Sequence, residues 1–234
     1  MNTRASSSTS SPIQRAVSGA LFPVFFLAGE AVAGQLATAP LPMPDAPAAE
    51  VVAYYGGSRT AALVLAASQA LAAAALLVFV ASVVLLLRRT LADGDALAGL
   101  ARWGGVLAGL SLLASALLTL ALTLAAAGSD LALVGTLRSL NFLTGGTLHV
   151  ASLGVFVVAT SLAARTAGAL PGWIVWLGLV QAVLAILSLA SLLVFFAALF
   201  ILLGRMLGFV WCIAAGIALA PGRGRAPAAQ GVGR

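Results

Sequence analysis

The chain has no lysine, one cysteine, one histidine and only 8% charged residues across 234 positions. Each scarcity excludes something. Soluble domains carry about a quarter charged residues. So few charges, beside 62% hydrophobic residues and a mean hydropathy of +1.13, exclude an ordinary soluble domain and point to an integral membrane protein. A single cysteine, Cys212, excludes an internal disulfide and a cysteine-cluster metal site; in its apolar run it reads as a small packing residue. A single histidine excludes bis-histidine haem ligation. No metal and no other cofactor is expected.

What is present is apolar sequence in long runs rather than the period-2 alternation of an outer-membrane barrel. Lipid offers no partner to loose backbone polar groups, so the expected class is all-α, a polytopic transmembrane bundle. The abundance of Ala, Gly, Leu and Val, with arginine as the only basic residue, suggests a GC-rich bacterial gene and an inner-membrane location. The net charge of +6 is spread over arginines standing singly or in pairs. That spread forms no basic stripe, so the lipid bilayer is an expected partner and nucleic acid is not.

Six spans are expected, at about 16–39, 60–87, 104–127, 138–164, 172–194 and 199–220, within one domain 15–220. Spanning a core of about 30 Å takes roughly 20 helical residues, and each run is long enough. The tails 1–14 and 221–234 read as disordered. The first run, with Arg4 and Arg15 before it and "AVA" at Ala31–Ala33, also has the look of a cleavable leader. Its length and Glu30 favour a retained helix. Between the first two spans, Pro47 and Glu50 predict the start of a short surface helix closed by Gly56 and Gly57, with Tyr54 and Tyr55 at the membrane interface. The stretch Gly172–Ala220 is 49 residues, about 74 Å as one helix, and must turn; Val194–Ala198 is the expected place.

Arginine placement predicts orientation. With the N-terminus inside, the cytoplasmic segments hold nine (Arg4, Arg15, Arg88, Arg89, Arg102, Arg165, Arg223, Arg225 and Arg234). The outer side holds three: Arg59, Arg138 and Arg205. The excess predicts both termini in the cytoplasm, and Trp103, Trp173 and Trp176 then fall at the inner interface. Spans 1 and 4 lack matching interruptions, so an inverted-repeat transporter is not supported.

The fourth run carries Arg138, Asn141, Gly145, His149 and Ser152 at steps of 3, 4, 4 and 3, one stripe of a helix. A polar stripe in lipid must face other helices. Depths along the spans put Glu30 about 13 Å and His149 about 16 Å from the outer surface. Gln69 and Arg205 fall in the same half. Glu30, Gln69, Arg138, Asn141, His149 and Arg205 are therefore the candidate intramembrane cluster, an outward-opening polar site in which Glu30 pairs with an arginine or exchanges protons with His149. The bland readings are physical too. Arg138 and Arg205 can be boundary anchors, His149 a hydrogen-bonded packing residue, and Asn141 and Gln69 ties between helices. Ser111, Ser115, Thr119 and Thr123 recur every four residues, as do Gly204, Gly208, Cys212 and Gly216. Such rows of small residues read as close-packing faces. The motifs of zinc proteases, serine hydrolases, P-loop proteins and dinucleotide-binding folds are absent, so no catalytic residue is assigned and no enzymatic activity is expected.

"RSLNFLTGG" opening the fourth span and "LPGWIVWLG" opening the fifth, with "RAVSGALF" and "PDAPAAE" earlier, resemble an uncharacterised family of six-helix bacterial membrane proteins. The resemblance extends from about Arg15 to Ala220 and implies the six-helix fold and its topology. It implies no activity. Ser139 and Leu140 stand where the family often has an acid or aromatic, which weakens any shared role for Arg138. The expectation is a small binding module whose partner is a membrane protein, another copy of the chain, a lipid or an amphiphile. The alternative is a transporter or proton-coupled permease using Glu30 and His149.

Overall fold

The computed structural model describes residues 12–90, 96–128 and 130–220, and these are almost entirely helical, with no strand among them. Helix α1 is Pro12–Leu36, α2 Ala48–Gly57, α3 Arg59–Thr90 and α4 Ala96–Gly128. Then α5, Leu131–Phe142, passes through a π-helical turn, Leu143–Leu148, into α6, His149–Thr166. Helix α7 is Gly172–Leu187 and α8 is Ala198–Leu219. Six of these units are long and apolar enough to cross a membrane: α1, α3, α4, the continuous α5–α6, α7 with the turn that follows it, and α8. The short α2 is the expected helix between the first two spans. The expected disordered tail 221–234, and residues 1–11 of the other, lie outside the described residues, as do residues 91–95; residues 12–14 belong to α1.

Several helices outrun the apolar segments that identify them. Span 4 starts at Leu131 rather than Arg138 because Asp130 caps it, its Oδ1 accepting from the amides of Ala132 and Leu133 at 3.1 Å each. Span 3 starts at Ala96 rather than Gly104, since the Ala- and Leu-rich segment Ala96–Ala101 favours helix and carries it on through Arg102. The end of α6 is a Schellman turn. Gly168 takes φ +61°, its amide bonds the carbonyl of Arg165, and the amide of Ala169 reaches back to Ala164 at 2.8 Å. In the long last apolar stretch α7 stops at Leu187, a 3-10 turn at Ser188–Leu192 prolongs the span, and a second at Phe195–Ala197, within the expected turn, leads into α8. Ser188 assists the stop by donating to the carbonyl of Ala185, at 2.7 Å.

The spans form a closed ring. α1 packs on α3, α3 on α4, α4 on α6, α6 on α7 and α7 on α8, and α8 returns to α1. Span 4 is the most buried of the six. Phe22, Leu76, Phe79, Leu112, Leu153, Phe156 and Trp211 fill the centre, every one essentially inaccessible. Lipid tails are as apolar as these side chains, so close packing and interhelical hydrogen bonds hold the helices together. Glycine provides the closeness. A Cβ on Gly104 would lie 2.8 Å from the amide nitrogen of Phe156, and one on Gly19 would lie 2.7 Å from the carbonyl of Cys212. Arg15 ties the two termini of the bundle at one end, its Nε donating to the carbonyl of Leu219 at 3.1 Å. That end also carries Arg88, Arg89, Arg102 and Arg165; the opposite end is covered by α2.

Candidate functional site

The polar stripe of span 4 faces α4, and the π-helical turn keeps it there. In an α-helix a step of four residues overshoots by about 40°, so Asn141, Gly145 and His149 would drift around the helix. A wider turn over Leu143–Leu148 offsets that drift. As a result Asn141 donates to the Ser115 carbonyl, Ser115 Oγ and Thr119 Oγ1 at 2.9, 3.2 and 3.0 Å. Gly145 leaves room for the Ser115 side chain, and His149 Nδ1 lies 2.9 Å from the carbonyl of Ala108. The hydroxyl row of span 3, read from sequence as a packing face, is thus also the acceptor row for Asn141.

His149 is fully buried. A carbonyl can only accept, so Nδ1 carries the hydrogen and Nε2 presents a lone pair, for which there is no hydrogen-bond partner among the described residues. Phe22 of α1 meets the ring edge-on, with centroids 6.0 Å apart. Arg205 of α8 donates through Nη2 to the carbonyl of Gly145, a group that the π turn exposes to a side chain, and its guanidinium carbon stands 4.9 Å above the ring of Phe26. The charge of Arg205 acts on both His149 and Glu30. Glu30 is exposed on α1 and closes no ion pair within 4 Å among the described residues.

The six candidates therefore divide. Glu30, His149 and Arg205 belong to one group, around Phe22, Phe26 and Phe209. Asn141 and Arg138 stand apart from that group and from each other, Asn141 bonded to α4 and Arg138 reaching toward α2. Arg138 is half-buried and donates to the carbonyl of Pro42 at 2.7 Å, with its charge acting on Tyr54 and Tyr55. Gln69 is buried on α3, and among the described residues its carbonyl oxygen has no partner and it makes no hydrogen bond to the other five candidates.

Tyr54 and Tyr55, expected at the membrane interface, have their rings packed inside the protein rather than presented at its surface. Both are buried, stacked edge-to-face on each other, in an apolar cluster with Val51, Leu122 and Val134 that seats α2 on α4 and α5. Burial and the charge of Glu30 push both phenols above their ordinary range, while Arg138 pulls them back down. A cavity of about 460 Å³ opens beside Tyr54, lined by Pro40, Pro42, Met43 and Glu50.

Other ties between helices carried no sequence signal beyond a lone polar residue in an apolar run. Gln181 donates to the carbonyl of Gly204 at 3.2 Å, Trp211 Nε1 to Ser161 Oγ at 3.1 Å, and Thr147 and Ser191 share a hydrogen bond at 3.0 Å. Among the described residues no three His, Cys, Asp or Glu side chains come together as a metal site would require. No family model matches the chain, and no curated protein or solved structure matches it.

Proposed function

We propose that the chain is a bacterial inner-membrane binding protein, with both termini in the cytoplasm, that engages a membrane partner or an amphiphile through Glu30 and acts without catalysis. The observation that carries this reading is Glu30 itself, exposed on a helix apolar enough to cross a membrane and without an ion pair among the described residues. A charged group within the hydrocarbon costs about 2.5–3.5 kcal/mol on insertion scales, a cost that a donor or cation from a second molecule would offset. Arg205 does not fill that role alone, being engaged by the Gly145 carbonyl and the Phe26 ring. The nine-to-three arginine asymmetry and the resemblance to the six-helix bacterial family support the orientation and the location.

The test is purification in a mild detergent, with mass spectrometry of what accompanies wild type and Glu30→Gln. A lipid or protein that stays with wild type and leaves the variant supports the reading. Equal retention by both sinks it.

A proton-coupled permease is the second reading, favoured by the buried and unpartnered Nε2 of His149. It requires proton flux in vesicles that disappears in both Glu30→Gln and His149→Gln.

A further inference from the structure

At the end of the bundle where α1 begins and α8 ends, α3 and α4 part to leave an apolar groove of about 340 Å³. Leu77, Ala81 and Val84 line one wall and Val106 the other, and Arg88 and Arg102 stand at its mouth. From Leu77 to Arg88 is eleven residues, about 16 Å of helix, or half of a hydrocarbon core about 30 Å thick. The groove is one leaflet deep. Its mouth is at headgroup level, for Trp103 beside it is 67% exposed, and the guanidinium of Arg102 lies over that ring at 5.3 Å.

Arg88 and Arg102 are both exposed, and neither makes an ion pair among the described residues. The connection from Arg88 to Arg102 carries three arginines against two acids, Asp93 and Asp95, so it keeps a positive balance. An apolar slot one leaflet long that ends in two guanidinium groups matches one kind of molecule. Its tail is a hydrocarbon chain, and its head carries a phosphate with net negative charge.

We propose that the α3–α4 groove binds an anionic phospholipid, with one acyl chain along Leu77, Ala81, Val84 and Val106 and the phosphate held by Arg88 and Arg102. Guanidinium is suited to this task because its planar donors can meet two phosphate oxygens at once. The site is separate from Glu30, which lies toward the opposite end of α1. It stands or falls without the binding role proposed there.

The experiment is thermal unfolding of the detergent-purified protein during titration with phosphatidylglycerol and, in parallel, phosphatidylcholine. A ligand that binds only the folded state raises the unfolding midpoint in proportion to its saturation. Phosphatidylglycerol is expected to raise the midpoint of wild type more than phosphatidylcholine does. The double variant Arg88→Gln/Arg102→Gln should lose most of that rise. Arg165→Gln, which removes one charge at the same end but outside the groove, should keep it. Ala81→Phe fills the slot with both arginines intact and should also lose it. Equal shifts from the two lipids, a full shift in the double variant, or a full shift in Ala81→Phe would each overturn the proposal. So would loss of the shift in Arg165→Gln, because the effect would then follow the charge of the whole end.

Discussion

The side-chain amide of Asn141 lies between two hydroxyls one turn apart on α4, 3.2 Å from Ser115 Oγ and 3.0 Å from Thr119 Oγ1, and also within 2.9 Å of the Ser115 carbonyl. One donor group thus locks span 4 to span 3 in a single register. Hydrogen bonds between membrane helices average about 0.6 kcal/mol and reach about 1.7. Asn141→Ala is therefore expected to destabilise the protein by about 1 kcal/mol. Thr119→Val should cost less, because Ser115 still accepts. Thermal unfolding of both singles and the double measures the coupling. Strict additivity would mean that Asn141 and Thr119 do not act together.

Two glycines five residues apart on α4 should answer oppositely to alanine. At Gly99 an added Cβ meets nothing within 4 Å, so Gly99→Ala gains helix propensity, about 0.5–1 kcal/mol. At Gly104 the same methyl would press on the backbone of Phe156 at 2.8 Å and on Val155 at 2.9 Å, and the two helices must separate. Overpacking of this kind costs about 1–3 kcal/mol. A higher unfolding midpoint for Gly99→Ala and a lower one for Gly104→Ala is the expected pair. The same sign for both would remove the close α4–α6 crossing as a determinant of stability.

Much of the fold could be read from sequence because hydrophobic length is a nearly sufficient signal in lipid. Thirty-two residues from Arg59 to Thr90 have few other ways to lie. Helix ends were less legible, since α4 and α5 run on through polar residues once Asp130 or a run of Ala and Leu stabilises the extra turns. The π turn had no sequence mark beyond Gly145–Gly146, yet it decides which residues of span 4 face α4. The candidate cluster was half legible for a related reason. Spacing identified the stripe and depth grouped the charges, but neither indicates direction around a helix. Arg138 and Arg205 look alike in sequence; one caps the Pro42 carbonyl beside α2 and the other the Gly145 carbonyl within the bundle.

Alkaline pH should loosen the α2 cap. Tyr55 is 2% exposed, and burial raises its pKa above the ordinary value of 10.0, with Arg138 opposing only in part. A phenol whose pKa is higher in the folded state contributes stability that is complete below pH 10 and declines as pH rises through that value and beyond. The unfolding midpoint of wild type should thus fall between about pH 9.5 and 11. Tyr55→Phe should fall less steeply; some slope remains because Tyr54 is shifted the same way. Parallel curves for the two proteins would show that Tyr55 does not titrate against folding.

Glu30 and Arg205 influence each other electrostatically but should not behave as a structural pair. Arg205 is bonded to the Gly145 carbonyl and packs on Phe26, so Arg205→Met strips a charged donor from a π turn that has few other ways to satisfy that carbonyl. Hydrogen bonds of this kind are worth about 1.5–3 kcal/mol, and the variant should lose stability on that scale. Glu30 makes no such bond, and Glu30→Gln retains its shape while removing the charge. It should be neutral within about 0.5 kcal/mol, or stabilising, as expected of a residue kept for a use other than folding. The double variant should then unfold about where Arg205→Met does. If Glu30→Gln instead costs as much as Arg205→Met and the double is no worse than either, the two charges form one structural unit. Glu30 would in that case lose its claim as a binding residue.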